Sequence, residues 1–196
     1  MGSLQTAKIL GGIGALLTLL GSLITASSAG ILTLVGFVLV FIAVKMIADE
    51  TKVKGIFDNY LYAFILCIIA FITFIAIIFI VLASVGGLSF IAELQNTAMT
   101  EPTEIWNSIQ PVFGGAIAGL IVFWILAVIA SFFLRKSFNL IAEKTGVKWF
   151  AKTGLLYFIG TITTIVLVGF IILFIAMILE IVAFFSLPDK IGSKEE

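Results

Sequence analysis

The sequence predicts an all-α fold, a polytopic membrane helix bundle of five transmembrane helices with a duplicated helical hairpin. Three observations carry the prediction. Hydrophobic residues make up 62% of the 196 residues and charged residues only 11%, against about 45–50% and about 25% in soluble domains. The mean hydropathy is +1.29. Apolar runs recur that reach or exceed the roughly 20 residues needed to cross a hydrocarbon core about 30 Å thick. A soluble globule would lack the charge to cover its surface, and a disordered chain is poor in the apolar residues that saturate this one.

The first two helices come from one uncharged stretch, Ile9 to Val44. As a single helix it would be roughly 54 Å long, too long for one crossing. Ala26-Ser27-Ser28-Ala29-Gly30 divides it with small, turn-tolerant residues. Spans over 4–25 and 31–48 follow. A cleaved signal peptide ending near Ser28 is the rival reading. Lys8 is its only n-region cation and its apolar part is over-long, so it ranks second. The third span, 59–85, opens after Asp58 and closes at Gly86-Gly87. Asn59 reads as its helix-start cap. An acidic segment follows, carrying Glu93, Glu101 and Glu104, and Thr100-Glu101-Pro102 marks the start of a short interfacial helix. The fourth span, 111–134, stops at Arg135-Lys136, and its helix continues to Lys144 with Gly146 as cap. The fifth span, 153–179, continues past Glu180 until Pro188 breaks the helix.

The cations set an orientation. Lys8, Lys45, Lys52, Lys54, Arg135, Lys136, Lys144, Lys148 and Lys152 fall on one side of a five-span chain, leaving Lys190 and Lys194 on the other. The positive-inside rule then places a multi-pass protein in the cell membrane with its N-terminus inside and its C-terminus outside.

Many chemistries are excluded. Eleven basic and eleven acidic residues cancel, so there is no basic excess for nucleic acid. Without histidine the commonest general base and metal ligand are missing. The single cysteine, Cys67, reads as an apolar packing residue. No catalytic residue, metal site or cofactor is expected, and the chain reads as not an enzyme.

An internal duplication is visible. IADETKVK begins at Ile47 and IAEKTGVK at Ile141, 94 residues later. Repeat units of about 31–92 and 111–187 would form a parallel repeat, related by an axis along the membrane normal. With KILGGIGALLTLLG, RKSFNLIAEKTGVKWF, TGLLYFIG and the closing AFFSLP, these motifs resemble the archaeal membrane-protein family catalogued as domain of unknown function 996. The resemblance runs from about Lys8 to Pro188. It implies a multi-span protein of an archaeal cell membrane and brings no activity, substrate or catalytic residue.

Four residue sets stand out as candidates for function. Gly115 and Gly119 in the fourth span, and Gly160 and Thr164 in the fifth, suit close helix packing, within the bundle or across a homo-oligomer. Glu180 is the one intramembrane or interfacial acid. On a straight helix it lies about 42 Å beyond Lys152, which places it at the outer interface. Lys52, Lys54, Lys144, Lys148 and Lys152 form a basic collar suited to anionic lipid head groups, although positive-inside topology alone produces such a collar. Thr161, Thr163 and Thr164 can bond their own helix backbone and are weak evidence for a pore. The leading expectation is therefore a non-enzymatic structural, accessory or membrane-organising component, with the lipid bilayer and a larger membrane complex as partners. The alternative is a small transporter or channel with its site between the two repeats.

Overall fold

A computed structural model describes residues 3–24, 29–84, 86, 87, 89 and 102–189. The helices are α1 (Ser3–Leu23), α2 (Ala29–Thr51), α3 (Lys54–Ser84), α4 (Pro102–Thr145), α5 (Lys148–Thr163) and α6 (Val168–Phe185). No strand occurs among the described residues. Six helical segments are long and apolar enough to cross a membrane, the build of a multi-pass membrane protein; the one that contains α5, Lys148–Val166, reaches that length only with the 3₁₀ turn that follows it. A helix suits lipid because it satisfies its own backbone hydrogen bonds where no water can.

The count differs from the expected five because the span over 153–179 is not one helix. α5 ends at Thr163, a 3₁₀ turn covers Thr164–Val166, and Leu167 adopts a left-handed φ of 60° before α6 begins. The chain reverses there. The Leu167 amide donates to the Thr164 carbonyl at 3.1 Å, and the Phe170 amide to the Leu167 carbonyl at 3.1 Å. Glycine makes room for the reversal. A Cβ at Gly169 would collide with the backbone of Thr163 and Thr164, and one at Gly160 would lie 2.9 Å from Leu173. Asp189 thereby returns to within 3.7 Å of Lys8. The expected opposite-side C-terminus rested on one straight fifth helix, and this reversal removes its premise.

Two other expectations change. α4 runs unbroken from Pro102, so from that residue onward the expected interfacial helix is continuous with the fourth span. Glu93, Glu101, Lys190 and Lys194 lie outside the described residues. Asn59 does not cap α3, which starts earlier at Lys54. Its side-chain amide donates instead to the Gly55 carbonyl at 2.6 Å, one turn back inside the helix.

Contacts divide the chain into two compact units: residues up to Phe64 together with those from Val128 onward, and residues Ile65 to Ala127. The first unit has an aromatic core. The Phe184 ring of α6 sits against Gly11 of α1, where a Cβ would collide with it. Phe184 meets Phe150 edge-on at 5.1 Å, Phe150 meets Phe138 at 5.6 Å, Phe138 stacks on Tyr60 at 6.4 Å, and Tyr60 approaches Phe41 at 6.0 Å. This run of rings, with the Gly11 notch, joins all six helices. α1 and α2 approach more closely still: a Cβ on Gly14 would lie 2.7 Å from the Gly36 carbonyl oxygen.

The α2–α3 and α4–α5 corners share a backbone geometry. At the first, Thr51 Oγ1 donates to the Ile47 carbonyl at 2.8 Å, Lys52 has φ 55°, and the Ile56 amide donates to Val53 at 3.1 Å. At the second, Thr145 Oγ1 donates to Ile141 at 2.7 Å, Gly146 has φ 75°, and the Phe150 amide donates to Val147 at 3.2 Å. Ile47, Ile56, Ile141 and Phe150 are fully buried. A left-handed residue after the last helical turn lets orphan carbonyls be capped before the chain turns.

In the second unit α3 and α4 pack through glycine. A Cβ at Gly115 would collide with Val81, and one at Gly119 would lie 3.1 Å from Ile77. Phe74 and Phe123 meet at 5.8 Å.

Candidate functional site

The charged chemistry of the first unit gathers at one end. The start of α1 meets the end of α2 through a Ser3–Glu50 hydrogen bond, and α3 meets α4 where Ser137 Oγ donates to the Ile56 carbonyl at 2.7 Å. The start of α5 meets the end of α6 through Phe150 and Phe184. The Lys8–Asp189 pair closes the same end; with a half-buried Lys8 and an exposed Asp189 it adds little stability.

All five lysines of the expected collar, Lys52, Lys54, Lys144, Lys148 and Lys152, are exposed at the two corners. The corners touch: Leu140 of α4 lies beside Gly55 of α3, next to the Ser137 bond. Aromatic rings carry several cations. Lys152 Nζ lies 4.4 Å from the Trp149 ring centre, Lys136 Nζ 4.7 Å from Phe132, and the Arg135 guanidinium 5.4 Å from Phe158. Such pairs hold the ammonium at the ring while the aliphatic stem stays in apolar surroundings.

The first corner also contains residues that inspection of lysines alone overlooks. A cleft of about 320 Å³ is lined by Lys45, Asp49, Lys52, Lys54, Phe57 and Asp58, together with Ala48. Lys45 lies 5.9 Å from the Phe57 ring centre. The collar is therefore mixed in sign there. The signal was present in the spacing, since Lys45, Asp49 and Lys52 are three or four residues apart and so share a helix face.

Glu180 is not where a straight helix would put it. The Tyr157 hydroxyl donates to its carboxylate at 2.6 Å. Tyr157 is five residues past Lys152, about 8 Å along α5. Glu180 thus lies at a level close to the cation-rich end, and the expected outer-interface placement is corrected by the reversal at Leu167. Removing the donor would strand a half-buried acceptor. Tyr157→Phe is expected to lower stability by about 1–3 kcal/mol, while the exposed Tyr62→Phe should be near neutral. Thermal unfolding in detergent reads both.

The expected packing residues fall in two places. Gly115 and Gly119 face α3 in the second unit, and Gly160 faces Leu173 across the α5–α6 turn. Thr164 lies in that turn, and its hydroxyl donates to the Thr161 carbonyl at 2.7 Å. The hydroxyls of Thr161 and Thr163 bond Tyr157 and Ile159 in the same way. All three are spent on backbone. A further close approach joins α1 and α2 at Gly14 and Gly36.

A family model described as "Protein of unknown function (DUF996)" matches residues 32–178, three quarters of the chain. The chain belongs to the DUF996 family. The match covers both corners, the collar lysines, Tyr157 and the whole α5 turn. A relative, an uncharacterized protein of Methanocaldococcus jannaschii, is 41% identical over 192 residues, covering 97% of each chain. The family resemblance expected from the two loop motifs is thereby shown, and this relative is archaeal. No solved structure matches.

Proposed function

We propose that this DUF996 protein is a non-enzymatic structural or accessory component of the archaeal cell membrane. The observation that supports this reading is the run of interlocked rings from Phe184 to Phe41, closed by glycine notches at Gly11 and Gly14. Close packing of this kind builds a fixed scaffold. The cation-rich end faces the cytoplasm by the positive-inside rule, so both Lys8 and Asp189 lie inside. The two corners, alike in motif and backbone, descend from a unit duplicated at an offset of 94 residues. In the second copy the long outward helix is replaced by the α5–α6 hairpin.

The collar binds anionic head groups, with Trp149 and Phe57 at the boundary. Each lysine near an anionic surface contributes about 1 kcal/mol. Purified protein is therefore expected to melt higher in detergent doped with phosphatidylglycerol than with phosphatidylcholine. Changing Lys144, Lys148 and Lys152 to Gln should remove most of the difference. An equal response to both lipids would count against the collar. Co-purification from native membrane tests the scaffold role: a reproducible stoichiometric partner is the expected result, and a monomer with no companion protein would argue against it.

One observation favours a second reading. A carboxylate hydrogen-bonded within an apolar helix pair, Glu180 with Tyr157, is the kind of group that transporters use. Cation or proton flux in proteoliposomes that Glu180→Gln abolishes would favour transport over a scaffold.

A further inference from the structure

We infer that the α5–α6 hairpin is re-entrant: it enters from the cytoplasmic side and its tip rests in the hydrocarbon of the outer leaflet. This deepens the reading above and rests on its placement of Lys152 and Asp189 at the inner surface.

Length is the first ground. α5 has 16 residues, and Lys148, Trp149 and Lys152 in its opening turns are interfacial by chemistry. The eleven residues from Thr153 to Thr163 rise about 17 Å, and the three of the 3₁₀ turn about 6 Å more. Lys148–Val166 taken whole has 19 residues, but with its opening turns held at the interface the rest, about 23 Å, falls short of a core about 30 Å thick. By contrast, α3 has 31 residues, or about 46 Å.

Tip chemistry is the second ground. The reversal is made of Ile165, Val166, Leu167 and Val168, followed by Phe170 and Ile171, and every one of these is exposed; Leu167 is 73% and Ile165 68% exposed. A turn held in water would expose all of that apolar surface, at about 25 cal/mol for each Å². The α1–α2 connection instead passes through Thr25, Ala26, Ser27 and Ser28, residues suited to a polar surface.

Hydrogen bonding is the third ground. Non-helical backbone in lipid is costly unless its polar groups are satisfied locally. Here the Leu167 and Phe170 amides find carbonyl partners within the turn. The hydroxyls of Thr161, Thr163 and Thr164, which would otherwise want water, bond carbonyls one turn back. An aqueous turn does not need that economy. The partner of this surface is therefore acyl chain.

The test uses the full chain in vesicles of known orientation, with Cys67→Ser as background. Single cysteines are placed at the tip (Ile165→Cys, Val168→Cys) and at references (Lys152→Cys, Asp189→Cys). A membrane-impermeant maleimide should label both references from the inner face. The tip cysteines should lose labelling from either face and recover it after denaturation. A bimane on the tip should be quenched more by lipids with a nitroxide deep in the acyl chain than by head-group nitroxide. Tip labelling from the outer face overturns re-entry and leaves the shared inner placement of Lys8 and Asp189 standing. Unlabelled tips without acyl-chain quenching also overturn it, because the tip would then be covered by protein. If Asp189→Cys labels from the face opposite Lys152→Cys, the topology falls and re-entry falls with it.

Discussion

Replacing Gly36 with leucine should separate α1 from α2 and remove most folded protein. A Cβ on Gly36 would lie 2.7 Å from the Thr18 amide nitrogen, and its counterpart on Gly14 would lie 2.7 Å from the Gly36 carbonyl oxygen. These obstacles are backbone atoms of a helix, which cannot turn aside as a side chain can. Thr18 is itself fixed, because its hydroxyl donates to the Gly14 carbonyl at 3.0 Å. Overpacking a core usually costs about 1–3 kcal/mol, and a leucine at a backbone-to-backbone contact belongs at or beyond the upper end. The effect is larger in lipid, where helix association depends on close packing because the tails are as apolar as leucine. α1 also carries Gly11, which receives Phe184, and Gly12, which faces Phe185. Displacing α1 therefore loosens α6 as well. Gly114→Leu is the matched control, since nothing lies within 4 Å of a Cβ there. Yield of monodisperse protein and its melting temperature in detergent should fall for Gly36→Leu and stay close to the parent for Gly114→Leu.

The membrane class was legible because composition sums over the whole chain and needs no partner. The corner at Gly146 was legible too, since a glycine after Lys144 and before Trp149 is a local signal. The Gly14–Gly36 contact is different. A glycine states that something comes close, and what comes close depends on which helix pairs with which. Reversal at Leu167 was hidden for another reason. Ile165-Val166-Leu167-Val168 has no proline, charge or glycine, so by local rules it continues a helix. Its signals were indirect: Gly160 and Gly169 nine residues apart, with three threonines at 161, 163 and 164 that could feed carbonyls freed by a turn. Reading the stretch beyond Lys152 as one straight helix led to both the five-span count and the misplaced Glu180. The candidate site suffered by the same error. Tyr157 and Glu180 are 23 residues apart and meet only if the chain turns back between them.

That dependence makes Gly169 the position where a substitution should have the second large effect. Its Cβ would collide with the Thr164 amide, the Gly160 carbonyl and the Thr163 carbonyl carbon, all backbone on the facing strand of the turn. Gly169→Leu therefore cannot be absorbed by a rotamer change. Leu167 already holds a left-handed φ of 60°, which costs roughly 1–2 kcal/mol for an L-residue. A turn burdened in this way has little margin before the straight helix becomes competitive. The expected result is loss of the reversal, and with it of every contact that requires it. Lys8 and Asp189 would separate, Phe184 would leave the Gly11 notch, and Tyr157 would no longer reach Glu180. Cross-linking reads this directly: with Lys8→Cys and Asp189→Cys in a Cys67→Ser background, a short bis-maleimide should join the two ends. Adding Gly169→Leu should abolish the product, whereas Gly114→Leu should leave it. A cross-link that survives Gly169→Leu would mean the hairpin is held by α1 and α6 packing rather than by the geometry of its own turn.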